Sequence, residues 1–270
     1  MIEQNGGKTI VIKNHDEIMI MLEANQIVAE TLMLLQEMVA PGISTLELDR
    51  AAEDYCKRKK ANPAFKGYRG FPGSLCTSIN EEVVHGIPSR KRKLKKGDIL
   101  SIDFGVCYKG YYGDSAITVA VDKIQKSEED LLCVTEKSLE RAIEKVVVGN
   151  RVSDISIAVQ DYVEKFGYSV VRQFVGHGIG TALHEGPEIP NFHIGEHTPR
   201  LVPGMVLAIE PMVNIGTAKV KVLRDGWTVV TADGKPSAHF EHSVAVTEEG
   251  PMVLSRRQYQ GKNNFSFQEN

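Results

Sequence analysis

Apolar residues recur at helical spacing through the first part of the chain, up to about Lys59, and predict two helices. The first begins after Asn14, a residue type that caps helices, and Pro41-Gly42 ends it. Ser44-Thr45-Leu46-Glu47 has the form of a capping box, in which the serine and glutamate side chains bond each other's backbone amides. This box predicts a second helix that runs to about Lys59.

The same order of elements is predicted after residue 126. Acids at 128–130 place negative charge in the first turn of a third helix, where they complement the helix dipole, and Gly149-Asn150 closes it. Ser153 is expected to cap a fourth helix, which ends at Gly167. The two halves of the chain therefore share one helical plan.

A strand-like run is repeated as well. The segment from Leu94 to Asp103 reappears in the second half as the segment from Leu201 to Glu210. Two leucines, a glycine and an isoleucine occupy matching positions, and each copy ends on an acid. The number of residues from the expected cap Ser44 to the expected cap Ser153 is close to the number that separates these two segments. Helices and strands are therefore repeated at nearly the same spacing along the chain.

These repeats predict an α+β fold in a single domain that covers residues 1–270. Two pseudo-symmetric α-α-β-β halves are expected at about 14–122 and 127–254. The clustered strands favour a mainly antiparallel sheet, with the helices packed outside it.

Each copy of the strand is followed by a second run that carries its own acid. Asp103 and Asp114 flank the segment Gly105–Gly113, whose turn residues predict a connection between two strands. Glu210 and Glu241 occupy the corresponding places in the second half. Carboxylates forced together near apolar strands repel each other and take up protons unless a cation offsets them. Four converging carboxylates therefore imply bound cations.

Glycines surround His177 in the segment Val175–Pro187 and allow a close backbone approach to a site. A flexible loop with an incidental histidine would have the same composition. His184 in the same segment, and His85 in a second His-Gly-Ile triplet, favour the functional interpretation. The glycine spacing is not that of a dinucleotide-binding turn, since the segment does not open a helix.

Two aspartates, two glutamates and one imidazole form an oxygen-rich ligand set. Such a set suits Mn(II), Fe(II), Co(II) or Zn(II) better than it suits a thiolate cluster. Four carboxylates balance the charge of two divalent ions, which can share a water, lower its pKa and polarise a carbonyl. The predicted reaction is hydrolysis of an amide.

The net charge of −3 and an isoelectric point near 6.3 argue against nucleic acid as the main ligand. The basic run Arg90–Lys96 is expected to be a solvated loop, with a weak contact to ribosomal RNA as the alternative. Four cysteines lack the spacing of a metal site or a disulfide framework. With no leader peptide and no run of about 18 apolar residues, a soluble cytoplasmic protein is expected.

Taken in order, these motifs resemble those of the type I methionine aminopeptidase family in its short bacterial form, one of the pita-bread (creatinase/aminopeptidase) metallopeptidases. The resemblance covers roughly residues 14–254. It rests on Asn80–Pro88, Ile102-Asp103, Gly113-Asp114, Gly176–Gly180, Leu183–Glu185, Ile209–Pro211 and Phe240–His242. The resemblance implies a pita-bread fold and two divalent metal ions (Co, Mn, Fe or Zn).

The resemblance also implies a role for each polar residue of the site. One ion would be held by Asp103, Asp114 and Glu241, and the other by Asp114, His177, Glu210 and Glu241. His85 would contact the scissile amide, His184 would position or stabilise the carbonyl oxygen, and Glu210 would shuttle a proton. The methionine pocket would consist of Phe65, Tyr68, Phe71, Cys76, Leu183 and Trp227, some of which taken alone are more typical of core packing.

The implied activity is removal of the initiator methionine from nascent proteins when the second residue is small, through a water or hydroxide that bridges the ions. We expect nascent polypeptide N-termini as substrates, a transient ribosome contact, no DNA or membrane partner, and a monomer. A prolidase or aminopeptidase P is the enzymatic alternative, disfavoured because only about a dozen residues precede the first helix. A non-catalytic relative that binds protein or RNA is disfavoured because all five ligand positions are present.

Overall fold

The structure is a computed structural model that describes residues 4–5, 8–195 and 197–257. Within these ranges the helices are α1 (His15–Met38), α2 (Thr45–Arg58), α3 (Lys126–Ile143) and α4 (Val152–Lys165). The strands are β1 (Gln4–Asn5), β2 (Lys8–Thr9), β3 (Asn62–Pro63), β4 (Cys76–Ile79), β5 (Glu82–Val84), β6 (Ile99–Tyr108), β7 (Tyr111–Ala120), β8 (Ser169–Val170), β9 (Gly176–Gly178), β10 (Glu185–Ile189), β11 (Val206–Ile209), β12 (Met212–Asn214), β13 (Val220–Val222), β14 (Val229–Thr231), β15 (Ser237–His239), β16 (His242–Thr247) and β17 (Gly250–Val253). All pairs between these strands are antiparallel, as predicted.

The predicted caps of the first helix pair are confirmed. Asn14 Oδ1 accepts the N–H of Glu17 at 3.0 Å, and the Glu17 carboxylate accepts the N–H of Asn14 at 2.7 Å. Ser44 and Glu47 make the same reciprocal pair at the start of α2. These bonds satisfy amides that have no partner inside the helix, and so fix where α1 and α2 begin.

The start of α4 differs from the prediction. Arg151 is the N-cap residue, and its N–H donates to Asp154 Oδ2 at 2.6 Å. Ser153 lies inside the helix, where its N–H donates to the Thr198 hydroxyl at 3.0 Å. The prediction of Ser153 as the cap is wrong because a distant segment supplies the acceptor. Arg151 is then the counterpart of Ser44, and the helices and the acid-bearing strands are displaced by the same step along the chain.

Backbone hydrogen bonds recur in the two halves with this same displacement. Each half ties the start of its second helix to the segment before its acid-bearing strand. In the first half the N–H of Thr45 donates to the Arg92 carbonyl (2.9 Å), and the N–H of Leu94 donates to the Ile43 carbonyl (2.9 Å). In the second half the N–H of Val152 donates to the Pro199 carbonyl (3.1 Å), and the N–H of Leu201 donates to the Asn150 carbonyl (2.7 Å). The recurrence supports the predicted two-repeat domain, which stays a prediction.

The connection between the acid-bearing strands of the first half is shorter than predicted. β6 and β7 pair continuously from Ile99 opposite Ala120 to Tyr108 opposite Tyr111. Only Lys109-Gly110 joins them, and φ is positive at both residues, 50° and 84°. This is the backbone geometry of a common two-residue hairpin turn. The segment Gly105–Gly113 was expected to be the connection, but its outer residues belong to the strands.

α1 packs against this hairpin, and its buried face shares one core with β6 and β7. By length and composition alone α1 could cross a membrane, since an 18-residue window has a mean hydropathy of 1.5. This differs from the expectation that no segment of the chain could do so. Half of that window is buried within the protein, and contact with the hairpin therefore accounts for much of the apolar character of α1.

The acid-bearing strands of the second half lie in a five-stranded sheet with the order β10-β9-β11-β16-β17. β11 and β16 are neighbours, and Ile209 lies opposite His242. The basic run 90–96 is a loop before β6 with its lysines exposed, as predicted. Asp103 and Asp114 therefore lie within β6 and β7, whereas Glu210 directly follows β11 and Glu241 directly precedes β16.

Candidate active site

Asp103 and Asp114 lie on the same face of the β6–β7 hairpin. Asp103 is opposite Ala116, and Asp114 is opposite Gly105, so the carboxylates are diagonal neighbours on the ladder. A Cβ at Gly105 would lie 3.2 Å from Asp114 Oδ1, tighter than most contacts of this kind. The glycine therefore leaves room for the Asp114 carboxylate.

Hydrogen bonds across the two halves place Glu241 beside Asp114. The Ser115 hydroxyl donates to the Glu241 carbonyl at 2.6 Å, and the Ser243 hydroxyl donates to the Asp114 carbonyl at 2.8 Å. The Glu241 N–H donates to the Ala116 carbonyl at 3.0 Å. Three bonds thus join the β6–β7 hairpin to the start of β16 at the two acids.

His177 enters the same region from β9, which pairs with β11. Its Nδ1 lies 2.9 Å from the Gly178 carbonyl oxygen. Because a carbonyl only accepts, Nδ1 carries the hydrogen in this contact, and the lone pair of the neutral ring is on Nε2. Nε2 lies 3.7 Å from Glu210 Oε1. A Cβ at Gly178 would lie 1.9 Å from the Gly186 carbonyl oxygen, so this strand requires glycine there.

The structure brings the five predicted ligand residues together. One ligand atom each from Asp114, His177 and Glu241 lies within 4.8 Å of the others, and all three residues are buried. Glu210 adjoins this group through His177, and Asp103 adjoins it through Asp114. The resulting arrangement has carboxylate oxygens from both halves and one imidazole nitrogen.

Burial raises the pKa of all four carboxyl groups. Removal from water is the largest cause, and it raises the pKa of Asp103 and of Glu210 to about 7. The pKa values of Asp114 and Glu241 lie well above the ordinary range, because burial is reinforced by repulsion from neighbouring acids. These groups hold protons near neutral pH unless a cation replaces them.

The donor atoms of the site fit divalent cations. Asp103 Oδ1, Asp114 Oδ1 and Glu241 Oε1 are buried without a hydrogen-bond partner among the described residues. Buried acceptors of this kind cost free energy unless a ligand or water satisfies them. Carboxylate oxygen and imidazole nitrogen are the donors that Mn(II), Fe(II), Co(II) and Zn(II) accept.

The prediction from sequence missed His239, the last residue of β15. Its ring is buried, and its Nε2 lies 3.5 Å from Glu210 Oε2. Burial lowers the pKa of this imidazole, which favours the neutral form. The sequence does place His239 two residues before Glu241. Alternate residues of an extended segment point to one side, so this spacing could have indicated that His239 faces the site.

His85 and His184 have different neighbours in the structure. His85 has a φ of 61°, and its ring meets the rings of Phe174 and Trp227 edge-on, with centroids 5.5 and 6.2 Å away. Burial lowers the pKa of His85 to about 4, so it is neutral at physiological pH. His184 is exposed, and its Nδ1 lies 2.8 Å from the Tyr68 hydroxyl. The centroids of the His184 and His177 rings are 4.2 Å apart.

The structure places all six predicted pocket residues in one apolar cluster. Its members include Phe65, Tyr68, Phe71, Cys76, Leu183 and Trp227. Phe71 and Trp227 meet edge-on at 5.2 Å, and Tyr68 stacks on His184 at 5.3 Å. Cys76 pairs with Asp103 across β4 and β6, so the cluster borders the acids directly.

The chain matches the model of metallopeptidase family M24 over residues 19–248. It is 53% identical over 246 residues to a methionine aminopeptidase of Clostridium acetobutylicum, with 91% of this chain and 98% of that protein covered. A solved methionine aminopeptidase of Thermotoga maritima has a TM-score of 0.90 at 42% identity, and the match covers 92% of this chain and 100% of that one.

A prolidase of Pyrococcus horikoshii has a TM-score of 0.76 at 21% identity. The match covers 93% of this chain and 65% of the prolidase chain. At that identity the likeness shows a shared fold alone. Together these structures confirm the expected pita-bread fold.

Proposed function

Because this chain belongs to metallopeptidase family M24, we propose that it is a metal-dependent aminopeptidase that removes an N-terminal methionine. Its substrates are nascent polypeptides whose second residue is small. One observation carries the proposal: the cluster of Asp114, His177 and Glu241 borders an apolar pocket. A site that cuts next to a terminal methionine needs both parts side by side.

Two divalent cations are the best fit to the acids of the site. Asp103, Asp114 and Glu241 would hold one, and Asp114, His177, Glu210 and Glu241 would hold the other. Four carboxylates balance the charge of two such ions, which supports two sites instead of one. When bound, Mn, Fe, Co or Zn would lower the pKa of a water and polarise the scissile carbonyl.

Glu210 is proposed to move a proton during the reaction. Its pKa is raised to about 7 by burial, so it can accept and release a proton at neutral pH. Such a carboxylate can take a proton from the attacking water and deliver it to the leaving nitrogen. Glu210 would also hold one of the ions, together with Asp114, His177 and Glu241.

Two histidines are proposed to hold the reacting amide. His85 lies on the side of Trp227 and is assigned to the amide nitrogen. His184, held by the Tyr68 hydroxyl, is assigned to the carbonyl oxygen, where a positioned hydrogen-bond donor stabilises developing negative charge. These roles require a substrate that lies between the two rings.

The apolar cluster supports selection of methionine. An unbranched thioether can bury its surface against Phe71 and Trp227, and sulfur makes favourable contacts with aromatic rings. Burial of such a side chain contributes about 1.5–3 kcal/mol, whereas a lysine of similar length would have to bury a charge. Selection by this pocket would therefore disfavour basic N-terminal residues.

We propose that the protein acts in the cytoplasm, as a monomer, on chains that emerge from the ribosome. Cys56, Cys76, Cys107 and Cys133 are free thiols, which fits a reducing compartment. The exposed lysines of residues 90–96 offer a surface for a transient contact with ribosomal RNA.

Cleavage of three peptides tests the proposed function. Methionine should be released from Met-Ala-Ser in the presence of Mn(II) or Co(II), and Lys-Ala-Ser should be cleaved on the order of 100-fold more slowly. An Ala-Pro dipeptide should be inert. Equal cleavage of the two tripeptides, or hydrolysis of Ala-Pro alone, would contradict the proposal.

A further inference from the structure

The backbone of His239 is fixed from both sides by one hydroxyl. The His239 N–H donates to Thr118 Oγ1 at 2.9 Å, and that hydroxyl donates to the His239 carbonyl at 2.8 Å. Ser101 Oγ lies 2.8 Å from Thr118 Oγ1 and must donate to it, because the only hydroxyl hydrogen of Thr118 is already used. These bonds fasten β15 to the hairpin that carries Asp103.

The two oxygens of Glu210 face two different imidazoles. Oε2 lies 3.5 Å from His239 Nε2, and Oε1 lies 3.7 Å from His177 Nε2. His239 is only 2% exposed, and its Nε2 has no hydrogen-bond partner within the described ranges of the chain. A buried ring nitrogen without a partner costs free energy, which a hydrogen bond to Glu210 Oε2 would recover.

We propose that His239 is a positioning residue for Glu210. The neutral ring donates Nε2–H to Oε2, and this holds Oε1 toward His177 and the cation site. The inference rests on the proposed function, since it assigns a partner to a residue of that site. A carboxylate held by a donor of this kind loses fewer rotamers when it binds a cation, as in other sites where a neighbouring group orients a metal ligand.

Two substitutions separate this role from bulk packing. Glutamine at position 239 keeps an N–H donor on a flexible stem, whereas leucine fills space without a donor. His242 serves as the control, because its ring is partly buried and contacts the Ser255 hydroxyl at 2.8 Å instead of Glu210. All variants are compared as full-length protein.

Calorimetric titration with Mn(II) gives the first readout. His239→Leu should weaken binding by about 10- to 100-fold, the usual effect of losing a group that orients a ligand. His239→Gln and His242→Leu should bind close to wild type. At saturating Mn(II), His239→Leu should lower kcat for Met-Ala-Ser with little change in KM, because the substrate pocket is untouched.

Three results would overturn the inference: wild-type affinity in His239→Leu, equal weakening in His242→Leu, or no rescue by glutamine. If His239→Leu does not fold, the Co(II) absorption spectrum of His239→Gln decides. A positioning role predicts the wild-type spectrum, whereas direct ligation by the imidazole predicts a shifted one. Failure of the wild-type protein itself to bind Mn(II) would count against the proposed function instead.

Discussion

Lys13 Nζ lies 2.5 Å from Glu185 Oε2, and the two side chains are only 2% and 5% exposed. The other carboxylate oxygen of Glu185 accepts the N–H of Ala182 at 3.2 Å. A Cβ at Gly180 would lie 2.4 Å from Lys13 Cε, so the lysine is enclosed by this loop. The buried pair therefore ties the loop that carries His184 to the segment before α1.

Removal of one partner of this pair should destabilise the protein strongly. Glu185→Leu leaves the Lys13 charge buried and unpaired, and we expect a loss of about 3–5 kcal/mol in the free energy of unfolding. The double variant Lys13→Met/Glu185→Leu should lose less. Urea unfolding measures both.

The control is the surface pair of Lys126 and Asp130, whose lysine is 72% exposed. Lys126→Met should change the free energy of unfolding by less than about 1 kcal/mol. A Glu185→Leu variant that unfolds like this control would show that the buried pair does not hold the loop.

His177→Ala should lose most of the aminopeptidase activity while the fold stays largely intact. The substitution removes the only imidazole in the three-residue cluster with Asp114 and Glu241. Far-UV circular dichroism and methionine release from Met-Ala-Ser measure the two properties. His193→Ala, at an exposed loop histidine, serves as the control. Turnover at the wild-type rate in His177→Ala would remove this residue from the site.

Cation affinity should fall as the pH falls from about 7.5 to about 5.5. Burial raises the pKa of Asp103 and Glu210 to about 7, so in the folded protein both are increasingly protonated below that pH. A bound cation must displace these protons. Titration calorimetry in buffers of different ionisation enthalpy measures the protons released.

Asp103→Asn is the matched variant for this pH dependence, since its amide cannot release a proton. It should release fewer protons than the wild-type protein at about pH 6. An affinity that stays constant across the range, with no proton release, would show that these carboxyl groups are ionised before the cation binds.

Local features of the fold could be predicted from sequence, and features set by distant contacts could not. The capping boxes at Asn14 and Ser44 involve residues three positions apart, so their patterns sufficed. Glycine is common in turns, so the sequence predicts Gly105 and Gly113 to be turn residues. Their actual role is close packing: a Cβ at Gly113 would lie 2.8 Å from the Asn25 nitrogen of α1.

The same distinction applies to the candidate site. Five ligand positions followed from the duplicated strand and from the family resemblance, and the structure brings all five together. Their individual roles remain proposals. The contact of His239 with Glu210 could not be predicted from sequence, because Glu210 lies well before His239 in the chain and no local pattern connects the two.

Gly105→Ala should impair both cation binding and catalysis. The new methyl group would lie 2.9 Å from Phe65 Cε1 and 3.2 Å from Asp114 Oδ1, so it presses on the pocket and on a ligand at once. We expect weaker Mn(II) binding and a higher KM for Met-Ala-Ser. The double variant Gly105→Ala/Phe65→Leu should recover the KM but not the Mn(II) affinity. Recovery of both would mean that Asp114 is not disturbed.

The most direct test of the central claim is stepwise return of metal to chelated protein, with methionine release from Met-Ala-Ser followed at each step. We predict no release from the chelated protein, recovery as Mn(II) or Co(II) is added, and no recovery in Asp114→Asn, which lacks the charge proposed to bridge the two ions. Release at the full rate from chelated protein, or from Asp114→Asn, would contradict a metal-dependent aminopeptidase built on this site.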